Sequence, residues 1–161
     1  MSEQTQQYLT FMVGGEVFAM GILAIKEIIE YADLTPVPMM PDYLRGVINL
    51  RGSVVPVVDL ALRFGKASSA VTKRTCIVII EYGADTERQD IGVVVDAVNA
   101  VLDIPAHEIE PAPAFGTRLR TDFISGMGKV NGKFVILLNV NHVLAWEEVM
   151  ALTQMQEAAV A

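Results

Sequence analysis

The 161-residue chain carries 12 Lys and Arg against 19 Asp and Glu, a formal net charge of −7, and 52% of its residues are hydrophobic. That apolar content excludes an intrinsically disordered chain and suits one ordinary domain or two small ones. An acidic chain with no basic cluster also excludes a surface that tracks nucleic-acid phosphates.

The chain opens on Met-Ser-Glu-Gln-Thr-Gln-Gln, polar and acidic, unlike the basic-then-apolar start of a signal peptide. Tyr8 to Val13 and Glu16 to Met20 then predict a hairpin around Gly14-Gly15. From Ile22 to Tyr31, the spacing of Ile22, Ile25, Ile28 and Ile29 fits a short helical turn running into a strand, and periodicity leaves the changeover open. Pro36, Pro38 and Pro41 mark an extended connector that cannot be helix interior. Next come Gly46-Val-Ile-Asn-Leu50 and Ser53-Val-Val-Pro-Val-Val58, two strands about a tight Arg51-Gly52 turn. Such turns favour Asn-Gly, Asp-Gly or Gly-X, so Arg51 is either a merely solvated turn residue or one displayed to a partner.

Asp59 is placed to cap a helix, and Lys66 to Thr72 is a polar seam. Cys76, the single cysteine, cannot form an internal disulfide and is expected to be a small buried hydrophobe within Thr75-Cys-Ile-Val-Ile-Ile80. Glu16, Lys26, Asp96 and Asp103 interrupt the longest apolar runs, none of which reaches the ~18 residues of a membrane span. A soluble, cytoplasmic protein is the expectation.

An internal repeat organises the rest. Gly46 to Gly52 matches Gly126 to Gly132, and Ser53 to Asp59 matches Lys133 to Asn139, all at an offset of 80. Upstream, Ala19, Ile22, Ile25 and Ile28 match Gly92, Val95, Val98 and Val101 at an offset of 73, so the second copy has the longer connector, around Ala106 to Thr121. Two copies of a roughly five-stranded unit predict a mainly β protein of two small barrels, residues 8–65 and 73–155. The second carries a C-terminal helix from Asn139 to Met155 with Val140, Val143, Leu144, Val149 and Met150 on or near its apolar stripe. Residues 1–7 and 156–161 are expected as flexible tails. At the repeat of Arg51-Gly52 the second copy has Asn131-Gly132, the pair that the turn itself prefers.

Residues suited to catalysis do not converge. His107 and His142 lie far apart and neither has metal-ligand spacing around it, so neither a metal nor a cofactor is expected. No phosphate-cradling glycine motif or nucleophile elbow occurs, and Cys76 has no evident base. Asp59 and Asp96 could pair in space, but the capping role already accounts for Asp59. Nothing in the residues calls for catalysis, and nothing in them rules it out.

The stretch Phe18 to Ile28 with Ile22, Ile25 and Glu27, the run Gly46-Val-Ile-Asn-Leu-Arg-Gly52, then Val55-Pro-Val-Val-Asp-Leu60, Gly92-Val-Val-Val-Asp-Ala-Val98 and Pro111-Ala-Pro-x-Phe115 together resemble the CheW family of bacterial chemotaxis adaptors, in the family's order, from about Tyr8 to about Leu152. The resemblance implies two SH3-like five-stranded barrels. It also implies a non-enzymatic bridge between the cytoplasmic tip of a methyl-accepting chemoreceptor and the regulatory domain of the histidine kinase CheA. Receptor-side residues would be Ile25, Glu27, Gly46 and Arg51, with Val98, the repeat partner of Ile25, lining an apolar groove between the barrels. Kinase contacts would fall at Val54, Pro111 and Phe115. Glu110 stands where the family can carry a basic residue, which puts a familiar ion pair there in doubt. The competing reading is a β-barrel that binds a small apolar molecule in the same groove.

Overall fold

The structure, a computed structural model, describes residues 5–32, 34–39, 42–67, 70–82, 89–111 and 124–139. The N-terminal hairpin forms as expected from β1 (Thr5–Val13) and β2 (Glu16–Gly21), turning at Gly14 and Gly15, both with positive φ. The ambiguous stretch resolves into a single 3-10 turn, Ile22–Ala24, feeding β3 (Ile25–Glu30). A second hairpin, β4 (Leu44–Leu50) and β5 (Ser53–Asp59), runs into a one-turn helix, α1 (Leu60–Arg63). Past the seam come β6 (Cys76–Tyr82), β7 (Gln89–Val95), β8 (Ala97–Pro105), a 3-10 turn at Ala106–Glu108, the two-residue β9 (Ile109–Glu110), β10 (Ile124–Val130) and β11 (Lys133–Leu138). The expected helix from Asn139 to Met155 lies outside the described residues, apart from Asn139 itself.

Two sheets result, in the orders β8-β1-β2-β11-β10-β9 and β3-β6-β7-β5-β4. Where two barrels are expected, the described residues form two sheets, and the hydrogen-bonded ladder of neither closes on itself through its named strands. The second sheet nevertheless curls strongly. Thr35, just beyond β3, meets Val47 of β4 in one isolated bridge (N–O 3.0 and 2.9 Å) that links the sheet's two edges. Each sheet also draws strands from both copies of the repeat. The hairpin β1–β2 sits between β8 and β11, while β6–β7 sits between β3 and β5.

The repeat is visible in the hydrogen bonding. Leu44 faces Val58 and Gly46 faces Val57 across a bulge, and 80 residues on, Ile124 faces Leu138 and Gly126 faces Leu137 across the same bulge. The parallel seams agree as well. Val57 lies beside Gly92 and Leu137 beside Ala19, which joins the two sequence offsets in one geometry.

Strands apolar on both faces feed three cores, since successive side chains point to opposite sides. Val78, Ile80, Val58 and Phe18 enter a central core between the sheets, together with Phe11, Leu60 and Phe64. Ile77, Ile79, Val55 and Val57 fill the curl of the second sheet. Ala19, Ile104, Val135 and Leu137 fill that of the first. Cys76 is half-buried against the central core rather than fully buried, and its partial desolvation pushes the thiol pKa up.

Candidate partner-recognition site

The β4–β5 turn takes positive φ at both central residues, 52° at Arg51 and 87° at Gly52; its repeat has 51° at Asn131 and 79° at Gly132. Both are therefore primed two-residue turns, matched to the twist of their strands. Asparagine tolerates the left-handed region; arginine does so less readily. A neighbouring side chain supports the first turn, where the Gly52 N–H donates to Asn49 Oδ1 at 3.0 Å.

Arg51 is not simply solvated. Its Nη2 lies 2.6 Å from Glu27 Oε2, although its side chain remains 72% exposed against 25% for Glu27. This hydrogen bond first, and the charge of Glu27 second, raise the guanidinium pKa. The ion pair spans the curl from the turn of one edge hairpin to β3 at the opposite edge. Two residues 24 apart, implied by resemblance to share a role, are thus in direct contact.

Next to Glu27, the pairing of β3 with β6 slips. Ile25 faces Ile80 and Glu27 faces Ile79, leaving Lys26 as the extra residue of a bulge. A bulge re-aims side chains that would otherwise alternate. Lys26 Nζ reaches Asp90 Oδ2 of β7 at 3.0 Å, and this hydrogen bond and the Asp90 charge raise its pKa, countered in part by desolvation and, less, by the nearby Arg51 charge. Lys26 and Asp90 line an open cleft of about 280 Å³ with Ser53, Val54, Val55, Glu81 and Gln89. Neither the bulge that frees Lys26 nor the β6–β7 register that places Asp90 beside it leaves a mark in composition.

Ile25 and Val98 occupy matching places on the edge strands β3 and β8, each half-buried against the central core. Gly46 is buried, with φ of 154°, and a Cβ there would collide with the Thr35 carbonyl oxygen and lie 3.0 Å from its carbon. Its missing side chain lets the 35–47 bridge form. Val54 is exposed on β5 beside the cleft. Pro111 is exposed just past β9, and Phe115 lies outside the described residues.

The capping role expected of Asp59 is present, because Oδ1 accepts from the Leu62 N–H at 3.2 Å. The other oxygen meets Arg45 Nη1 at 3.0 Å, and Arg45 Nη2 donates to the Tyr31 hydroxyl at 3.1 Å. Asp96 is occupied elsewhere, accepting from the Gly14 N–H at 2.9 Å. The two carboxylates serve backbone and ion-pair roles rather than facing a common substrate position.

Two curled sheets sharing a central core, with a charged corner exposed on one of them, describe a mainly β, two-sheet domain. The chain belongs to the CheW-like domain family, whose model matches residues 7–148. It is 34% identical over 143 residues to the chemotaxis protein CheW of Klebsiella aerogenes, covering 89% of this chain and 84% of that protein. With the chemotaxis protein CheW of Bacillus subtilis it shares 36% identity over 140 residues, 86% of each chain. Among solved structures, the scaffolding protein TtCheW of Thermoanaerobacter tengcongensis superimposes with a TM-score of 0.78 at 30% identity, covering 88% of this chain and 89% of that one. Among the described residues, no helix is long and apolar enough to cross a membrane.

Proposed function

We propose that this chain is a non-enzymatic chemotaxis adaptor that couples the cytoplasmic tip of a methyl-accepting chemoreceptor to the regulatory domain of the histidine kinase CheA, working in the cytoplasm at membrane receptor arrays through protein contacts. The observation that carries this reading is Arg51. A turn that would be served better by asparagine, as its own repeat is, instead displays an arginine that Glu27 holds in place. Membership of a family whose relatives are named chemotaxis and scaffolding proteins supports the reading.

Arg51, Glu27 and Ile25 then form the receptor side, with Gly46 shaping the strand beneath and Val98 the opposite rim of the groove. Val54, Pro111 and Phe115 are assigned to the kinase. The test is a pull-down with the cognate kinase and the receptor signalling domain. Capture of both by the wild type, with the receptor lost on Arg51→Ala and the kinase retained, is expected; failure to capture either partner would refute the adaptor reading.

A further inference from the structure

The repeat closes one turn twice with different residues. Leu50 pairs with Ser53 and Val130 with Lys133, and the two central residues take nearly the same φ, 52° and 87° in the first copy against 51° and 79° in the second. Only the second copy places asparagine, which tolerates the left-handed region, at the first central position. The Arg51 guanidinium is engaged elsewhere, 2.6 Å from Glu27 across the curl. Arginine also has no short polar group that could bond its own turn as asparagine does. The first turn therefore holds a conformation that its central residue does not favour, and the support must come from outside that residue.

Asn49 supplies it. Its Oδ1 accepts from the Gly52 N–H at 3.0 Å. That N–H belongs to the peptide joining Arg51 to Gly52, so the bond fixes the plane of this peptide, and with it the ψ of Arg51 and the φ of Gly52. Eighty residues on, the place of Asn49 is taken by Lys129, whose ammonium only donates and cannot accept from the Gly132 N–H. Glu27 is likewise replaced by Ala100, 73 positions on. The brace thus occurs in the copy that carries the arginine and its carboxylate, and is missing from the copy whose turn carries asparagine. A brace required by the hairpin itself would stand in both copies, which share one ladder pattern and one set of dihedrals.

We propose that Asn49 is a positioning residue for Arg51: it holds the left-handed Arg51-Gly52 turn closed and so presents the guanidinium to the partner from a fixed root. The partner's identity, the receptor tip, rests on the adaptor reading; the brace rests on the two turns alone. A long side chain anchored both at its backbone and at Glu27 has less freedom to lose on binding than one carried by a fluctuating turn.

The test has two arms, both on the full chain. The first needs no partner and rebuilds the second turn as the first. Asn131→Arg should lower the denaturant midpoint, and adding Lys129→Asn should recover about half of that loss. No recovery would overturn the brace. In the same arm, Asn49→Ala should speed hydrogen exchange of the Gly52 amide about fivefold, while Asn49→Asp, which keeps an oxygen in place, leaves it near wild type. Unchanged exchange in Asn49→Ala would also overturn the brace. The second arm measures binding of a chemoreceptor tip fragment by calorimetry. Asn49→Ala is expected to weaken binding about threefold to fivefold in the wild-type background, and not at all beside Arg51→Ala, where no guanidinium remains to be positioned. Equal weakening in both backgrounds would make Asn49 a contact in its own right, and wild-type affinity for Asn49→Ala would leave it a turn residue only. Either result overturns the positioning role and leaves the adaptor reading intact. A wild-type chain that does not bind the tip refutes the adaptor reading, and the first arm then decides the brace alone.

Discussion

Arg51 and Asp59 show how differently two charged residues can be used in one hairpin. Arg51 is exposed, and its ion pair with Glu27 works in water, where such pairs contribute little to stability. Arg51→Ala should therefore leave the denaturation midpoint near wild type while weakening receptor binding by about tenfold or more, as truncation of an interface anchor does. A large drop in midpoint with unaltered affinity would make Arg51 a structural residue. Asp59 is only 4% exposed and serves two masters, the α1 cap and the Arg45 guanidinium. Asp59→Ala should cost about 2–4 kcal/mol in chemical denaturation, because it removes a cap and the carboxylate that meets the partly buried Arg45 guanidinium. Asp59→Asn keeps a capping oxygen and should recover about 1 kcal/mol of that loss.

At the scale of the element, the two turn hairpins are near-copies whose glycines are not interchangeable with branched residues. Gly132 has φ of 79°, so Gly132→Val should destabilise the protein by roughly 1–3 kcal/mol, measured by denaturant unfolding. An unchanged midpoint would mean that the β10–β11 turn relaxes to another type. Gly46 differs in kind, since its difficulty is the Thr35 backbone rather than its dihedral alone. Gly46→Ala should cost about 2–3 kcal/mol and weaken protection of the Val47 amide, which donates to Thr35, in hydrogen exchange.

For the whole molecule, the exchange of strands between the repeat copies has a thermodynamic consequence. The central core takes Phe11, Phe18 and Leu60 from one copy and Ile80, Val93 and Leu138 from the other. Neither copy retains its sheets without the other, so thermal unfolding should be a single transition with equal calorimetric and van't Hoff enthalpies. Two resolved transitions would show that the halves are independent. A bridging adaptor also predicts a bell-shaped titration. Rising adaptor concentration in reconstituted receptor membranes should first increase receptor control of kinase autophosphorylation. It should then reduce that control, as receptor and kinase each bind separate copies. A plateau with both binary affinities exceeded would count against bridging.

The sequence by itself determined whatever depends on local periodicity and local turn chemistry. The alternating runs became strands, Gly14-Gly15 and Asn131-Gly132 became turns, and Asp59 became a cap, because each needs only its neighbours along the chain. The repeat offsets of 80 and 73 relate the two parallel seams to each other, Val57 beside Gly92 and Leu137 beside Ala19, but only the structure shows that these strands are neighbours. Arg51 stood out because a turn residue has few physical reasons to be arginine. Tertiary structure alone decided that the copies trade strands, since a strand buried on both faces carries no sign of which edge will claim it. It also decided that Arg51 meets Glu27, and that a one-residue slip at Lys26 turns a second cation toward Asp90. Those pairings follow from sheet curl and ladder register, which are set by packing across the whole molecule and are absent from any short stretch of sequence.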